Sequence, residues 1–147
     1  MSDTQANAAS SASNASVVRI PDLPSSYLGD EDALNLLPAL AVERLLDNGR
    51  RIAMTGNDDV EPVVKLFTPD AGCTWLLVSI DPNEPDIAYG LCDLGLGCAE
   101  IGSVSIAEIK SVRGAIGLPP ERDLHFEAEG TLGWYAERSR VSGSIRA

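Results

Sequence analysis

The sequence has few of the residues from which common catalytic and metal sites are built. Its 147 residues include one histidine, three cysteines and seven aromatic residues in total. Cys73, Cys92 and Cys98 are an odd number of cysteines and could complete a zinc site with His125, but they lack the close paired spacing of structural zinc ligands. Neither a zinc site nor a disulfide framework is expected, and free thiols favour a reducing compartment.

Long apolar runs are also missing. No segment reaches the roughly 18 uninterrupted apolar residues that span a membrane, and the N-terminus has neither the basic nor the apolar region of a secretory signal. The length, the apolar fraction of 44% and a mean hydropathy near zero are those of a folded domain. We therefore expect a cytoplasmic protein without membrane contact.

Positive charge is scarce in the middle of the chain. The net charge is −11, and residues 61–100 carry seven acidic residues with Lys65 as their one base. Such a charge disfavours direct nucleic-acid binding and attracts a basic partner. The acidity can serve solubility alone, or it can form a surface that imitates nucleic acid toward a basic protein.

Composition divides the chain into three parts. Residues 1–16 are small, polar and of low complexity, which predicts a disordered tail. Residues 17–26 contain two prolines and are expected to be extended at the start of a single domain over residues 17–141. Residues 142–147 are expected to fray.

Three segments have helical patterns. Leucines at helical spacing after the acidic run at residues 30–32 predict a first helix, which Gly49 ends. A capping-box sequence at residues 105–108 opens a short helix, with Gly114 as the residue after its end. A third, amphipathic helix follows near the C-terminus. The predicted helices cover residues 32–48, 105–112 and 131–140.

Between these helices lie runs rich in valine, isoleucine, leucine and aromatic residues, which are typical of strands. Gly95 and Gly97 predict a tight turn, at a spacing unlike that of a phosphate-binding loop. Short connections imply an antiparallel meander, so the predicted fold is a small single α+β domain with an antiparallel sheet packed against two or three helices. The predicted strands cover residues 63–67, 74–80, 87–94, 100–104 and 123–127.

Five short motifs follow one another within residues 63–126. They read VVKLFTPD, TWLL, YGLCDLGLG, EIKSVRG and LPPERDLHF. In these motifs the chain resembles the bacterial family known as domain of unknown function 2958, over somewhat under half of its length and more weakly upstream. The resemblance implies a short, stand-alone bacterial protein of a kind often encoded on mobile elements, and it brings no established activity.

The polar and aromatic residues inside these motifs are the candidate interaction or structural residues. Arg113 and Arg122 could grip a phosphate or a partner carboxylate, although pairing with acids of the same domain is favoured. Trp75 could be an exposed stacking platform, but composition favours a core position. His125 could act as a general base, and no neighbour in sequence is assigned as its partner. The candidates are Lys65, Trp75, Asp93, Glu100, Arg113, Glu121, Arg122 and Asp123.

The acidic residues of the middle segment do not form a recognisable cation site. Residues 81–93 contain four acids that could bind a hard cation such as calcium, but prolines interrupt them and the EF-hand pattern is missing. We interpret them as solvated loop acids, so the sequence assigns no metal, no cofactor and no catalytic residue. The four acids are Asp81, Glu84, Asp86 and Asp93.

Three functions remain compatible with the sequence. The preferred one is a non-enzymatic protein-interaction or accessory module whose protein partner could be basic. The first alternative is an acidic inhibitor of a basic nucleic-acid enzyme. The second is a small enzyme with a polar pocket, and the oligomeric state stays open. The pocket of such an enzyme would draw on Asp93, Glu100, Arg113, Glu121, Arg122 and His125.

Overall fold

The structure is a computed structural model that describes residues 36–147. The predicted tail, the extended segment at residues 17–26 and the predicted helix start at residue 32 lie outside these residues. Within them the first helix begins only at Ala39, after Pro38 in an extended conformation, so the prediction of one helix running through residues 37–38 is wrong. In chain order the elements are α1 (Ala39–Thr55), β1 (Val64–Phe67), β2 (Thr74–Asp81), β3 (Glu84–Asp93), β4 (Glu100–Ser105), α2 (Ile106–Ser111), β5 (Glu121–Arg122) and α3 (Leu132–Ser142).

The five strands form one sheet in the order β4-β3-β2-β1-β5. Every neighbouring pair is antiparallel, so the predicted small α+β domain with an antiparallel sheet is confirmed. The first four strands make the predicted meander, and β5 adds to its far edge after α2. No helix within residues 36–147 combines the length and the apolarity needed to cross a bilayer.

Helices cover the sheet on both sides, and β2 is accordingly buried along nearly its whole length. One side, called here the α1 face, packs against α1 and α2; the other, the α3 face, packs against α3. The α1 face includes Leu45, Leu46, Val64, Leu66, Trp75, Leu77, Ile80 and Ile106, and the α3 face includes Leu76, Val78, Leu91, Leu132 and Tyr135.

A β-bulge in β2 lets apolar side chains at both ends of this strand point to the α1 face. The register on β3 shifts between Leu77 and Ser79, so Val78 is an extra residue. Strict alternation from Leu77 would point Ile80 to the α3 face, whereas the bulge returns Ile80 to the α1 face beside Leu77. Asn48 of α1 donates from Nδ2 to the carbonyl oxygen of Val78 at 2.8 Å, which ties the helix to the bulge.

The first helix ends later than predicted. It continues through Gly49, which is buried where α1 crosses β2; a Cβ there would overlap the carbonyl oxygen of Ile80. Gly49 thus allows close packing, and the predicted stop at this residue is wrong. The helix ends instead at Gly56, whose φ of 74° is the left-handed conformation of a C-cap.

Two further local predictions are wrong. The predicted strand at residues 123–127 is a turn, in which Asp123 Oδ1 accepts the backbone N–H of His125 at 2.9 Å; the strand lies just before it, at Glu121–Arg122. Gly114 does not end α2, because the helix stops at Ser111 and its C-cap, Val112, is extended.

Other turn and cap predictions are confirmed. Ser105 caps α2 by accepting the N–H of Glu108 at 3.2 Å. Gly95 and Gly97 have φ values of 81° and 88° in the connection between β3 and β4.

Candidate functional site

Two grooves meet at β5, and both are lined by Glu121, Arg122 and Leu124. The first has a volume of about 670 Å³ and is bordered by Ser144 and Ile145; we call it the tail groove. The second has a volume of about 500 Å³ and we call it the basic groove. It is lined by Leu36, Lys110, Arg113, Pro119, Pro120, Glu121, Arg122 and Leu124.

Six of the eight candidate residues gather at these two grooves. Trp75 is not among them: it is 2% exposed in the core of the α1 face, as the composition favoured. Glu100 starts β4 at the opposite edge of the sheet. Those at the grooves are Lys65, Asp93, Arg113, Glu121, Arg122 and Asp123.

Lys65 and Asp123 form an ion pair across one side of the tail groove. Their Nζ and Oδ2 atoms are 3.5 Å apart, and Lys65 also donates to the carbonyl oxygen of Ala147 at 2.7 Å. The hydrogen bond from the backbone N–H of His125, together with the positive charge of Lys65, lowers the pKa of Asp123 below its ordinary value. This carboxyl group therefore stays ionised to more acidic pH than a free aspartate.

Asp93 fastens the C-terminal segment to the sheet. It is 2% exposed; Oδ1 accepts the N–H of Gly95 at 2.8 Å and Oδ2 accepts the N–H of Ile145 at 3.0 Å. Both oxygens of this carboxylate are thus engaged by backbone amides of the domain itself. The sequence predicts fraying of residues 142–147, and the structure gives this segment contacts with both Asp93 and Lys65.

The basic groove collects positive charge from three elements. Lys110 comes from the last turn of α2, Arg122 from β5, and Arg113 from the connection between them. Arg113 donates from Nη1 to the carbonyl oxygens of Lys110 at 2.7 Å and Val112 at 2.8 Å. Within residues 36–147 the hydrogen bonds of Arg113 therefore go to the end of a helix and not to the acids that the sequence favoured.

Asp70, which the sequence analysis missed, holds the wall of the basic groove. Its Oδ2 accepts the N–H of Ile116 at 2.8 Å and that of Leu118 at 3.3 Å, just before the Pro119-Pro120 pair. A side chain at Gly114 would overlap the Asp70 carboxylate, so this glycine leaves the space that the aspartate fills. Asp70 is the last residue of the motif VVKLFTPD, and the loop that contains Gly114 lies more than forty residues later. Nothing in the sequence indicates that the aspartate and this loop are in contact.

The interpretation of the four acids in residues 81–93 as solvated loop acids is wrong for Asp86 and Asp93, which lie in β3 and accept backbone N–H groups; Asp93 is 2% exposed. Asp86 accepts the N–H of Ala107 at 2.9 Å at the start of α2, and Asp59 accepts the N–H of Gly133 at 2.7 Å at the start of α3. Of the seven acids in residues 61–100, four accept such internal hydrogen bonds, and much of the charge is therefore directed at the amides of the domain. These four are Asp70, Asp81, Asp86 and Asp93.

The cysteines and the histidine do not form a common centre. Cys92 is half-buried on the α1 face, and burial raises its pKa to about 11, so the thiol is protonated at neutral pH. Cys98 is exposed, and His125 lines the tail groove. Among residues 36–147, no group of three or more histidine, cysteine, aspartate or glutamate side chains is placed to hold a metal ion.

Comparison with known proteins gives one match. A family model described as "Protein of unknown function (DUF2958)" matches residues 36–146, which includes all eight elements and both grooves. Searches of the curated proteins and of the solved structures gave no match.

Proposed function

The chain belongs to the DUF2958 family, and we propose that it is a non-enzymatic interaction module that binds an acidic segment of a partner protein in the basic groove. One observation carries this proposal: in a chain with a net charge of −11, three of the eleven basic residues line one groove of about 500 Å³ together with a single acid, Glu121. A local positive potential within a negative molecule selects for a carboxylate-bearing ligand and steers its approach.

The lining of the groove indicates what such a segment contains. Arginine and lysine donors suit carboxylates, and the N–H groups of Arg113 beyond Nη1 have no hydrogen-bond partner within residues 36–147. Pro119, Leu124 and Leu36 add apolar surface beside these donors. The best occupant is an extended peptide with several acidic residues and an apolar residue next to them.

The proposed partner segment is negatively charged, whereas the net charge of the chain favours a positively charged partner. A basic partner would complement the negative charge of the whole molecule. Such a partner is also what the alternative function, an acidic inhibitor of a basic nucleic-acid enzyme, requires. That alternative is supported less, because four of the seven acids in residues 61–100 accept internal hydrogen bonds. The net charge of −11 still disfavours nucleic acid as the occupant of the groove.

The positions of the candidate catalytic residues support a non-enzymatic role. Glu100 lies at the far edge of the sheet, and both oxygens of Asp93 bind backbone amides. Arg113 and His125 line different grooves. Four of the six, Asp93, Glu121, Arg122 and His125, do line the tail groove. A reaction centre requires convergent groups around one reacting atom, and Asp93 is already engaged by backbone amides while Glu100 and Arg113 lie elsewhere.

We further propose that the module works in the cytoplasm of a bacterium as an accessory protein that mobile elements encode. The resemblance of the five motifs supports the accessory role. Three free cysteines without a disulfide support a reducing compartment.

The test is a capture experiment from native bacterial lysate with matched charge-reversal variants. Arg113→Glu reverses one charge in the groove, and Arg140→Glu reverses one on the exposed surface of α3. We expect a protein that the wild type and Arg140→Glu retain, that Arg113→Glu loses, and that high salt releases with or without nuclease treatment. A partner held equally by both variants, or none held by the wild type, contradicts the proposal.

A further inference from the structure

The edge of the sheet farthest from the two grooves is an open strand. β4 is the last strand in the order of the sheet, and no strand of residues 36–147 lies on its outer side. In an antiparallel sheet, alternate residues of an edge strand direct their N–H and C=O groups outward, so three of the six residues of β4 do so.

β4 lacks the features that protect the edges of sheets from further pairing. Its sequence, EIGSVS, contains neither proline nor lysine, and its register on β3 runs from Glu100 to Ser105 without a bulge. An extended segment of another chain can therefore add to this edge as a sixth strand, which is a common mode of peptide recognition.

The charge around β4 indicates what such a segment carries. Residues 66–109, which include β2, β3 and β4, contain seven acids and no lysine, arginine or histidine. Four of these seven accept internal hydrogen bonds. The other three, Glu84, Glu100 and Glu108, are exposed.

These three carboxylates lie at both ends of β4. Glu100 begins the strand, and Glu108 lies in the first turn of α2, directly after the other end. Glu84 is three residues before Ile87, the partner of Ser105 on β3, and therefore lies beyond the same end as Glu108. A strand with basic residues at both ends complements this edge, whereas a second copy of this chain would bring like charges to it.

Gly102 adds a preference for the middle of the segment. It shares one side of the strand with Glu100 and Val104, and a Cβ at this position would meet open space. Val104 packs against the apolar cluster of the α1 face. A large side chain on the added strand can therefore lie over Gly102 between these two residues, as aromatic residues do beside edge glycines.

We propose that β4 is a second binding site, which takes an extended segment of a partner protein with basic residues at both ends and a large apolar or aromatic residue between them. This site is separate from the basic groove and does not depend on the function proposed for that groove. The two sites lie at opposite edges of the sheet and select segments of opposite charge, so one domain can hold two segments at once.

Hydrogen exchange of the full-length protein with a synthetic peptide tests this site. The probe has the sequence Lys-Lys-Val-Thr-Tyr-Thr-Lys-Lys, and it should protect amides within residues 100–105 that exchange freely without it. A peptide with glutamate in place of every lysine should give no protection. The proposal is overturned if the lysine peptide, at about 1 mM, leaves residues 100–105 unprotected.

Backbone methylation tests whether the peptide adds as a strand. A strand uses the N–H groups of alternate residues only, so methylating the nitrogens of one alternate set should weaken binding by at least about tenfold. A peptide methylated on the other set should bind like the parent. Equal binding of the two methylated peptides would mean that charge alone holds them, and it would overturn strand addition.

Charge reversal in the protein tests the choice of partner. Glu100→Lys should weaken peptide binding roughly fivefold, and this loss should shrink in high salt. Glu43→Lys makes the same change of net charge on the exposed side of α1 and should alter the affinity by less than about twofold. Equal effects of the two variants would overturn the role of Glu100.

Sedimentation of the free protein tests the other occupant of the edge. We expect no dimer that protects residues 100–105, because two copies bring their acids together. A dimer with these amides protected would show that a second copy takes the edge, and it would overturn the basic segment as the occupant.

Discussion

The two faces of the sheet are held by different forces. On the α1 face thirteen buried residues form one apolar cluster, whereas the cluster on the α3 face has five. Both faces also have directional polar contacts. On the α1 face Asn48 binds the carbonyl oxygen of Val78 and Asp86 binds the start of α2. On the α3 face three contacts involve carboxylates: Asp93 with the C-terminal segment, Asp123 with Lys65, and Asp59 with the start of α3. Because it has the larger apolar cluster, the α1 face should respond more strongly to changes in side-chain volume, and the α3 face should respond to the loss of its carboxylates.

The two tryptophans offer the largest test of this difference. Trp75 is 2% exposed on the α1 face, and Trp134 of α3 is 38% exposed with Arg138 stacked 4.6 Å from its ring centroid. Trp75→Ala should lower the free energy of unfolding by about 3–5 kcal/mol, because it leaves a cavity in the core. Trp134→Ala should lower it by about 1 kcal/mol or less. Chemical denaturation of both variants measures this, and equal losses would refute the contrast.

Gly49 tests how closely α1 lies on the sheet. Gly49→Ala should destabilise the domain by about 2–3 kcal/mol, because its Cβ would push against the backbone of Ile80 and separate the helix from β2. Gly102→Ala is the control: a Cβ at this position in β4 meets open space, and the change should stay within about 0.5 kcal/mol. Thermal unfolding of the pair decides whether volume limits the α1 face.

Asp93 tests the polar contacts of the α3 face. Asp93→Ala leaves the amides of Gly95 and Ile145 without their acceptor and should cost about 1–2 kcal/mol. Hydrogen exchange at Ile145 should become much faster as the C-terminal segment detaches. Asp81→Ala removes a single contact to Asn83 in an exposed turn and should leave that exchange unchanged. Undiminished protection of Ile145 in Asp93→Ala would show that apolar contacts hold the segment.

Asp123 gives the smallest and most specific effect. Its pKa is lowered in the folded state, so its contribution to stability is present above the ordinary pKa of an aspartate and is lost as pH falls through the folded value. Asp123→Asn should cost about 0.5 kcal/mol at neutral pH, since the pair with Lys65 is partly exposed, and nothing at low pH. Asp47→Asn, in the exposed pair with Arg51, is the control and should change the free energy of unfolding by less than about 0.5 kcal/mol at neutral pH. A loss from Asp123→Asn that does not change with pH would contradict this assignment.

The sequence predicts the strands and α3 better than it predicts the limits of α1. Four of the five predicted strand segments overlap observed strands, and the burial of Trp75 follows from composition, because apolar periodicity reports burial directly. The limits of α1 do not follow from sequence. From the sequence, Gly49 and Gly56 are equally good candidates for the residue that ends the helix. The structure distinguishes them, because Gly49 packs against β2 and Gly56 is the C-cap.

The candidate site is predicted in part. The motif residues include six that gather at the grooves, yet the contacts that build the grooves join distant positions. Asp93 and Ile145 are 52 residues apart, and Asp70 and Ile116 are 46 apart. When a carboxylate accepts a hydrogen bond from a backbone N–H group, the residue that donates can be of any type except proline. The sequence therefore does not show which residue is the donor. The role of Asp70 is hidden for the same reason.

The bulge at Val78 has a consequence for how chain length can vary. One extra residue makes the two halves of β2 present opposite alternations to the same core. Deleting Val78 would leave Leu77 and Ile80 on the α1 face under regular alternation, whereas one further residue in this stretch would turn one half of β2 over. Adding residues at 94–99 changes only a connection. Related chains should therefore differ in length at residues 94–99, and a difference within β2 should be the loss of this one residue and not the gain of another.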